Sequence, residues 1–268
     1  MKIRIYLGLA FFWISCAAIA QEDNSADNTI ITDRPDATEA PQTVPAGALQ
    51  IETGAFYTSF KDEEQKIENF TYNTALLRYG IFDDFELRLG WDYSEIKTTQ
   101  YRIILDDIEQ TFTGLSPLLA GMKVAIKDEE GWIPQIGLIG HVFLPFTAGD
   151  NVKPEYTSVD FRFSFAHTLS KKSSIAYNLG AQWENDSPEA AYVYTLAYGY
   201  ALTDKFGFYA EVYGDLPEDS SANHFWDAGI TYLVKNNLQL DATVGGGINE
   251  GAEQDILLSA GFSLRLPN

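Results

Sequence analysis

Apolar and polar positions alternate strictly along the stretch Phe85–Tyr93. The odd-numbered residues of this stretch are all apolar, and the residues between them are charged or glycine. A period of two places successive side chains on opposite faces of a β-strand, so one face of this strand is apolar and the other is polar. The apolar face ends in aromatic residues, and the same unit recurs to the end of the chain.

The recurrence predicts twelve strands, joined alternately by tight turns and by mostly longer connections. We predict them at residues 48–58, 70–80, 84–95, 117–127, 132–144, 157–168, 174–184, 190–202, 205–216, 224–234, 238–248 and 255–266. A charged loop, Lys61–Asn69, joins the first two, and the pieces YRIIL and IEQTF are expected to extend the strands that flank the third connection. Three tight turns have similar surroundings, YGIFDDFEL, YALTDKFGF and YLVKNNLQL, so one hairpin is the internal repeat.

These strands favour a membrane barrel over a soluble β-sandwich, because long, regular strands with aromatic ends are not typical of sandwiches. A sheet in hydrocarbon must close, since an open edge would leave backbone groups without hydrogen-bond partners. Tyrosine and tryptophan near strand ends fit the girdles at the membrane interfaces. We therefore predict an all-β fold, a transmembrane antiparallel up-and-down β-barrel of about twelve strands, with short periplasmic turns and longer extracellular loops.

The first twenty residues have the organisation of a secretory signal peptide. Lys2 and Arg4 precede the apolar run Ile5–Cys16, which is too short to span a bilayer, and Ala18–Ala20 is a small-residue cleavage site. We predict a signal peptide at 1–20, export, and a barrel at 48–268 in the outer membrane of a Gram-negative bacterium. Cys16 is the only cysteine, so the mature chain would have no disulfide.

The charge balance excludes one class of partner. Loss of residues 1–20 would leave 16 basic against 38 acidic residues, a net charge of −22, and nucleic acid is an implausible partner at that charge. The acidity serves solubility, or creates a field at the mouth of a pore that disfavours anions. The mean hydropathy of −0.14 fits strands that have one face in lipid and one in water.

A motif near the N-terminus carries a family resemblance. Thr32–Glu39, followed by Val44–Gly47 and Leu49–Gly54, forms the pattern TDRPD…TE…VP.G..Q.E.G. It resembles the leading segment of a family of bacterial outer-membrane proteins that are labelled as transporters or as proteins of the meta-cleavage pathway of phenol degradation. The resemblance implies a membrane barrel over the whole mature chain and suggests hydrophobic or aromatic solutes. It supplies no catalytic residue.

The lead that contains this motif, residues 21–47, is acidic and rich in proline. Pro35, Pro41 and Pro45 bar a regular helix or a central strand, so the lead is extended. Two placements remain open: a linker in the periplasm, or a partial plug inside the barrel.

The non-apolar face of the strands defines the predicted lumen. Its titratable residues, which are the candidates for a permeation path, are Glu52, Arg78, Glu86, Arg88, Asp92, Lys123, His141, Asp160, Arg162, Glu211, Asp227, Asp241 and Arg265. They form either a network of buried ion pairs or a polar path for solutes. Most strand glycines also fall on this face, including Gly54, Gly137 and Gly261, which indicates close backbone approach, a bend or open space.

Nothing in the sequence indicates catalysis. His141, His167 and His224 are not spaced as metal ligands on one strand face and stand beside no recognisable serine motif. We predict no enzyme activity, no cofactor and no metal.

The sequence favours an outer-membrane channel for the passive passage of small molecules. The alternative is a closed structural or surface-interaction barrel with acidic extracellular loops, and an outer-membrane hydrolase is less favoured. The expected partners are outer-membrane lipid, a small-molecule solute and the outer-membrane assembly machinery. For that machinery Phe262 must stand in for the usual aromatic last residue, because the chain ends in Leu266-Pro267-Asn268.

Overall fold

The structure, a computed structural model, describes residues 29–102, 106–184 and 189–267. The described residues form one 13-stranded sheet. Its strands are β1 Leu49–Lys61, β2 Gln65–Phe82, β3 Phe85–Gln100, β4 Ile108–Leu115, β5 Leu118–Lys127, β6 Gln135–Leu144, β7 Ser158–Ser170, β8 Ser173–Trp183, β9 Ala191–Ala201, β10 Phe206–Pro217, β11 Asn223–Lys235, β12 Leu238–Gly247 and β13 Ile256–Leu266. Two short 3-10 helices, Pro145–Thr147 and Glu250–Ala252, lie in connections. Within the described ranges, no helix is long and apolar enough to cross a membrane.

The sheet closes on itself as a barrel. β1 pairs antiparallel with both β2 and β13, and β2 also pairs with β3. β4 and β5 pair with different parts of β3, so together they occupy one strand position in the barrel wall. The barrel therefore has 12 strands. The predicted antiparallel up-and-down barrel is therefore confirmed.

The predicted strands agree with the observed ones apart from the first connection. The loop predicted at Lys61–Asn69 is wrong, because β1 and β2 continue as a paired hairpin in which Lys61 lies opposite Lys66. The charged side chains of residues 61–69 therefore lie on β1 and β2, which extend beyond the apolar part of the sheet. The IEQTF piece does extend a strand, because it forms most of β4, opposite the end of β3.

The distribution of apolar and charged side chains between the two faces of the sheet is the reverse of that in a soluble protein. Large apolar side chains on the outside of the barrel are exposed, for example Leu179 at 51% and Leu196 at 46%. The charged side chains of Arg78, Glu86 and Lys123 point inward and are among the most completely buried in the molecule. This arrangement is stable when lipid covers the outside and the charges are paired inside.

Several predictions fall on residues outside the described ranges. They are the signal peptide at 1–20 with its Cys16, residues 21–28 of the lead, positions 103–105 of the YRIIL piece and positions 185–188 of the connection between β8 and β9.

A charge placed on the lipid face should destabilise the barrel. We expect Leu196→Arg, in the middle of β9, to lower the free energy of unfolding in phospholipid vesicles by about 2–4 kcal/mol, because hydrocarbon cannot solvate a guanidinium. Guanidinium chloride titration of the folded protein measures it. Ser220→Arg, in an exposed loop, is the matched control and should leave stability unchanged, and an equal effect of both substitutions would contradict the assignment of the faces.

Candidate functional site

The N-terminal segment, defined here as residues 30–47, lies inside the barrel. Near one end of the segment Ala46 forms a parallel bridge with Gly80, close to the tight turn between β2 and β3. Near the other end the Ile30 N–H donates to the carbonyl oxygen of Asn236, in the turn between β11 and β12, at 2.6 Å. Both contacts lie at the barrel end formed by the tight turns, called the turn end below. The segment therefore enters and leaves the barrel at the same end.

Asp33 is the centre of a buried ion network that holds this segment. Its carboxylate accepts from Lys123 Nζ at 2.8 Å and lies 3.1 Å from Arg78 Nη1 and 3.2 Å from Arg88 Nη2. Burial alone would raise the pKa of Asp33, but Arg78, Lys123 and Arg88 outweigh it and hold that pKa below its usual value. The stability that the ion pairs of Asp33 give to the fold is therefore present at neutral pH, and it is lost as the pH falls through the lowered pKa of Asp33.

Two acids of the barrel wall complete the charge balance around Asp33. Arg78 pairs with Glu52 at 2.9 Å and with Glu86 at 2.8 Å, on the neighbouring strands β1 and β3. The same carboxylates accept backbone N–H groups of the segment, Glu52 from Asp33 and Glu86 from Val44. Wall and segment thus satisfy each other's buried polar groups.

Glu39 and Thr38 connect the segment to β8, β9 and β10, and Glu39 also pairs with β3. Glu39 Oε2 lies 2.6 Å from Arg88 Nη1, and the Glu39 N–H donates to Asn178 Oδ1 at 2.8 Å. The Thr38 hydroxyl donates to Thr195 Oγ1 at 2.7 Å and contacts Glu211. Glu211 also accepts the N–H of Ala37.

Arg34 crosses the lumen beside β1 and β13. Its Nη2 donates to Asp241 at 2.8 Å and to the Ser259 hydroxyl at 3.1 Å, and its guanidinium lies 5.1 Å from the centroid of the Phe56 ring. Gly54 and Gly261 face it, and a side chain at either position would collide with the guanidinium. These two lumen glycines therefore make room for one arginine.

The structure places the predicted lumen residues as follows. Those buried in the interior are Glu52, Arg78, Glu86, Arg88, Lys123, His141, Asp160, Glu211, Asp227, Asp241 and Arg265, whereas Asp92 and Arg162 are half-buried. His141 Nδ1 lies 3.0 Å from Asp160 Oδ1, and Arg162 Nη2 lies 3.9 Å from the other oxygen of Asp160. Most of the predicted lumen residues therefore face one interior. Several of them form ion pairs with the N-terminal segment, whose position inside the barrel the sequence did not predict.

Asp36 differs from Asp33 because acids dominate the charges that act on it. It is half-buried, and burial together with Glu211, Asp227 and Asp33 raises the pKa of Asp36 well above its usual value. Burial and the neighbouring acids therefore disfavour the charged form of Asp36, in contrast to Asp33, whose charge is compensated by three cations.

Two cavities lie on either side of the segment. The loop-side cavity, about 250 Å³, is lined by the inward-facing apolar residues Leu76, Leu119 and Phe143, and Glu39, Arg88 and His141 are among its polar residues. The turn-side cavity, about 410 Å³, is lined in part by Asp36, Lys171, Lys172 and Tyr209. Arg34 lines both cavities, so its side chain stands between them.

The wall beside the loop-side cavity is interrupted between β4 and β5. Pro117 has no N–H to donate to a ladder. At Ser116 the contact with β3 is made partly by a side chain, because the Ser116 hydroxyl accepts the N–H of Asp92 at 2.8 Å. Asp92, Ser116 and Pro117 all line the cavity. The cavity is thus bounded here by a discontinuity in the sheet.

The three histidines have separate surroundings. His141 pairs with Asp160, His224 Nδ1 lies 2.9 Å from the Tyr194 hydroxyl, and the His167 ring stacks on Tyr177. In the part of the chain that the structure describes, no group of three or more His, Cys, Asp or Glu side chains could hold a metal ion.

The closed 12-strand antiparallel barrel has the fold of outer-membrane β-barrels. The chain belongs to the family described as "Putative MetA-pathway of phenol degradation", whose model matches residues 32–266. The resemblance found in the sequence is thereby confirmed. No curated protein is similar enough in sequence to be matched.

Two solved structures have a similar fold. An outer-membrane channel from Pseudomonas putida F1 superimposes with a TM-score of 0.63 at 13% identity, over 84% of this chain and 97% of that one. The translocator domain of the autotransporter NalP from Neisseria meningitidis gives a TM-score of 0.51 at 10% identity, over 83% of this chain and 88% of that one. At these identities the likeness concerns the fold alone.

Removal of the Asp33 charge should weaken the whole interior. We expect Asp33→Asn to lower the free energy of unfolding by about 3–5 kcal/mol, because it leaves the buried ammonium of Lys123 without its ion-pair partner and removes one partner each from Arg78 and Arg88. Denaturant unfolding in detergent at neutral pH measures this. The control, Asp204→Asn in an exposed turn, should match the unsubstituted protein, and an Asp33→Asn variant of unchanged stability would contradict the network.

Proposed function

We propose that this protein is an outer-membrane channel that admits small molecules passively, and that Arg34 closes the path between its two cavities. The single observation that carries the proposal is that Arg34 lines both the loop-side and the turn-side cavity. In the predicted orientation, a solute would pass from the extracellular loops to the loop-side cavity, then past Arg34 to the periplasmic turns.

The lining of the loop-side cavity supports hydrophobic or aromatic solutes. Leu76, Leu119 and Phe143 present apolar surface to it, and apolar surface of this kind favours ligands that bury apolar area. A barrel of this size lies between those filled by side chains and those with an open aqueous channel. With the N-terminal segment inside, the remaining space suits small molecules.

The contacts of Arg34 indicate that its guanidinium can separate from Asp241 while the rest of the interior keeps its ion pairs. It pairs with one acid, Asp241, whereas Asp33 on the same segment is held by three cations. The backbone of the segment can therefore stay anchored while the guanidinium moves.

A closed structural barrel is the second candidate, and the extent of ion pairing between wall and segment favours it. Such a barrel would present its acidic loops, among them Asp62–Glu64 and Glu218, to a partner at the surface. The planar-bilayer experiment described next separates the two candidates.

Shortening Arg34 should open the path. We expect Arg34→Ala to raise the mean single-channel conductance in planar bilayers at least severalfold, because it joins the two cavities. Arg102→Ala, which removes an exposed arginine outside the barrel interior, is the charge-matched control and should leave conductance unchanged. Folded Arg34→Ala protein that gives no channel steps would contradict the proposal and favour the closed barrel.

A disulfide tests whether the effect comes from the side chain or from loss of the whole segment. Thr38 and Thr195 touch through their hydroxyls, 2.7 Å apart, so cysteines at both positions are within reach of a disulfide. In this oxidised background Arg34→Ala should still raise conductance. If oxidation abolishes the increase, the gate is the segment and not Arg34.

A further inference from the structure

The loop-side cavity has the features of a binding site as well as those of a passage. One wall is apolar, formed by Leu76, Leu119 and Phe143, and the polar side chains that line it include Arg88 and His141. The Phe143 ring lies edge-on to the His141 ring, with centroids 6.3 Å apart. An apolar wall next to fixed polar groups is the usual composition of a small-molecule site.

The polar groups of the cavity are held rigidly. Asp160 fixes one edge of the His141 ring through Nδ1 at 3.0 Å. The Cδ2 edge of the ring lies against Gly121, where a Cβ atom would collide with it. Arg88 is fixed by its ion pairs with Asp33 and Glu39. A ligand would therefore meet a polar surface that is already in place.

Four buried atoms of the described residues that line this cavity make no hydrogen bond, and two of them, Glu39 Oε2 and Arg88 Nη1, lie 2.6 Å apart as an ion pair. Within the described part of the chain, His141 Nε2 and Arg88 Nε are buried and make no hydrogen bond. A neutral imidazole that donates through Nδ1 to Asp160 can accept at Nε2, and the guanidinium Nε can only donate. One hydroxyl group satisfies both, because it donates one hydrogen bond and accepts another.

Charge balance favours an uncharged ligand over an anionic one. Arg34 and Arg88 are each paired with an acid, Asp241 and Glu39 respectively, and Glu52 is paired with Arg78. Asp92 is a further carboxylate at the edge of the cavity. An added anion would meet this carboxylate and no unpaired arginine.

We infer that the loop-side cavity binds small uncharged compounds that combine an apolar body with a hydroxyl group, the hydroxyl between His141 and Arg88 and the body against Leu76, Leu119 and Phe143. The inference rests on the proposed channel function, for which it names a solute class. Binding here would select solutes before they reach Arg34.

Four related probes test the ligand class on the purified mature protein in lipid nanodiscs. They are 2-naphthol, naphthalene and 2-naphthoate, which share a body and differ in the head group, with 1-naphthylmethylammonium as the cationic member. Isothermal titration should give saturable binding of 2-naphthol, about tenfold tighter than naphthalene from the hydrogen bonds, and weaker binding of both ions. Equal binding of 2-naphthol and naphthalene, or tighter binding of either ion, overturns the inference.

A pair of glycine substitutions locates the site. Gly90 faces the cavity and has room for a Cβ atom with little adjustment, so Gly90→Phe should fill the cavity and abolish saturable 2-naphthol binding. Gly140 is on the outer face, where a Cβ atom would make an ordinary contact with the Asp160 carbonyl oxygen at 3.9 Å, and Gly140→Phe should bind 2-naphthol as the unsubstituted protein does. Retained binding in folded Gly90→Phe protein overturns the inference.

His141→Phe tests the role of the imidazole in selection. The ring remains but cannot accept, so we expect the tenfold preference for 2-naphthol over naphthalene to disappear while naphthalene binding stays. A preserved preference excludes His141 as the acceptor and overturns the assignment. Conductance of the Arg34→Ala channel is measured separately, so a protein that conducts without binding 2-naphthol refutes this inference alone.

Discussion

Buried charges must be paired, and this constraint organises the interior of the barrel. Lys123, Arg78 and Arg88 project from the wall into an enclosed space, and the carboxylate of Asp33 reaches all three. Without that carboxylate the buried ammonium of Lys123 would lose its ion-pair partner, and Arg78 and Arg88 would each lose one of their acidic partners. The N-terminal segment is therefore a structural part of the barrel interior. Its position in turn divides the remaining space into two cavities and brings Arg34 to the boundary between them.

The closed wall and the filled interior serve different requirements. Closure satisfies the backbone in hydrocarbon and fixes which side chains face lipid. The segment then satisfies the polar side chains that the wall directs inward, and the lumen glycines Gly54 and Gly261 give it the room to do so. The space that remains in the interior is small, apolar on one side and polar on the other. Such a space suits the selective passage of small molecules better than the free diffusion of water and ions.

Alternation along the chain predicted the barrel because lipid and lumen impose opposite demands on successive residues. It failed at Lys61–Asn69, where the hairpin continues with charged residues on both strands. It also missed the lumen-facing apolar residues Leu76, Leu119 and Phe143, since a polar interior was assumed. The placement of the lead could not be predicted, because an extended proline-rich chain has the same local pattern in a linker and in a plug. The TDRPD…TE motif contained the signal: Asp33, Arg34 and Glu39 are the charges that pair with the wall.

Backbone protection of the segment tests the central claim most directly. The N–H groups of Asp33, Ala37 and Val44 donate to wall carboxylates, and that of Glu39 donates to Asn178. Hydrogen–deuterium exchange of the full mature protein in lipid bilayers should therefore show residues 30–47 protected to a degree comparable with β1 and β13. Exchange of these amides at the rate of an unstructured chain, with the strands still protected, would contradict the account.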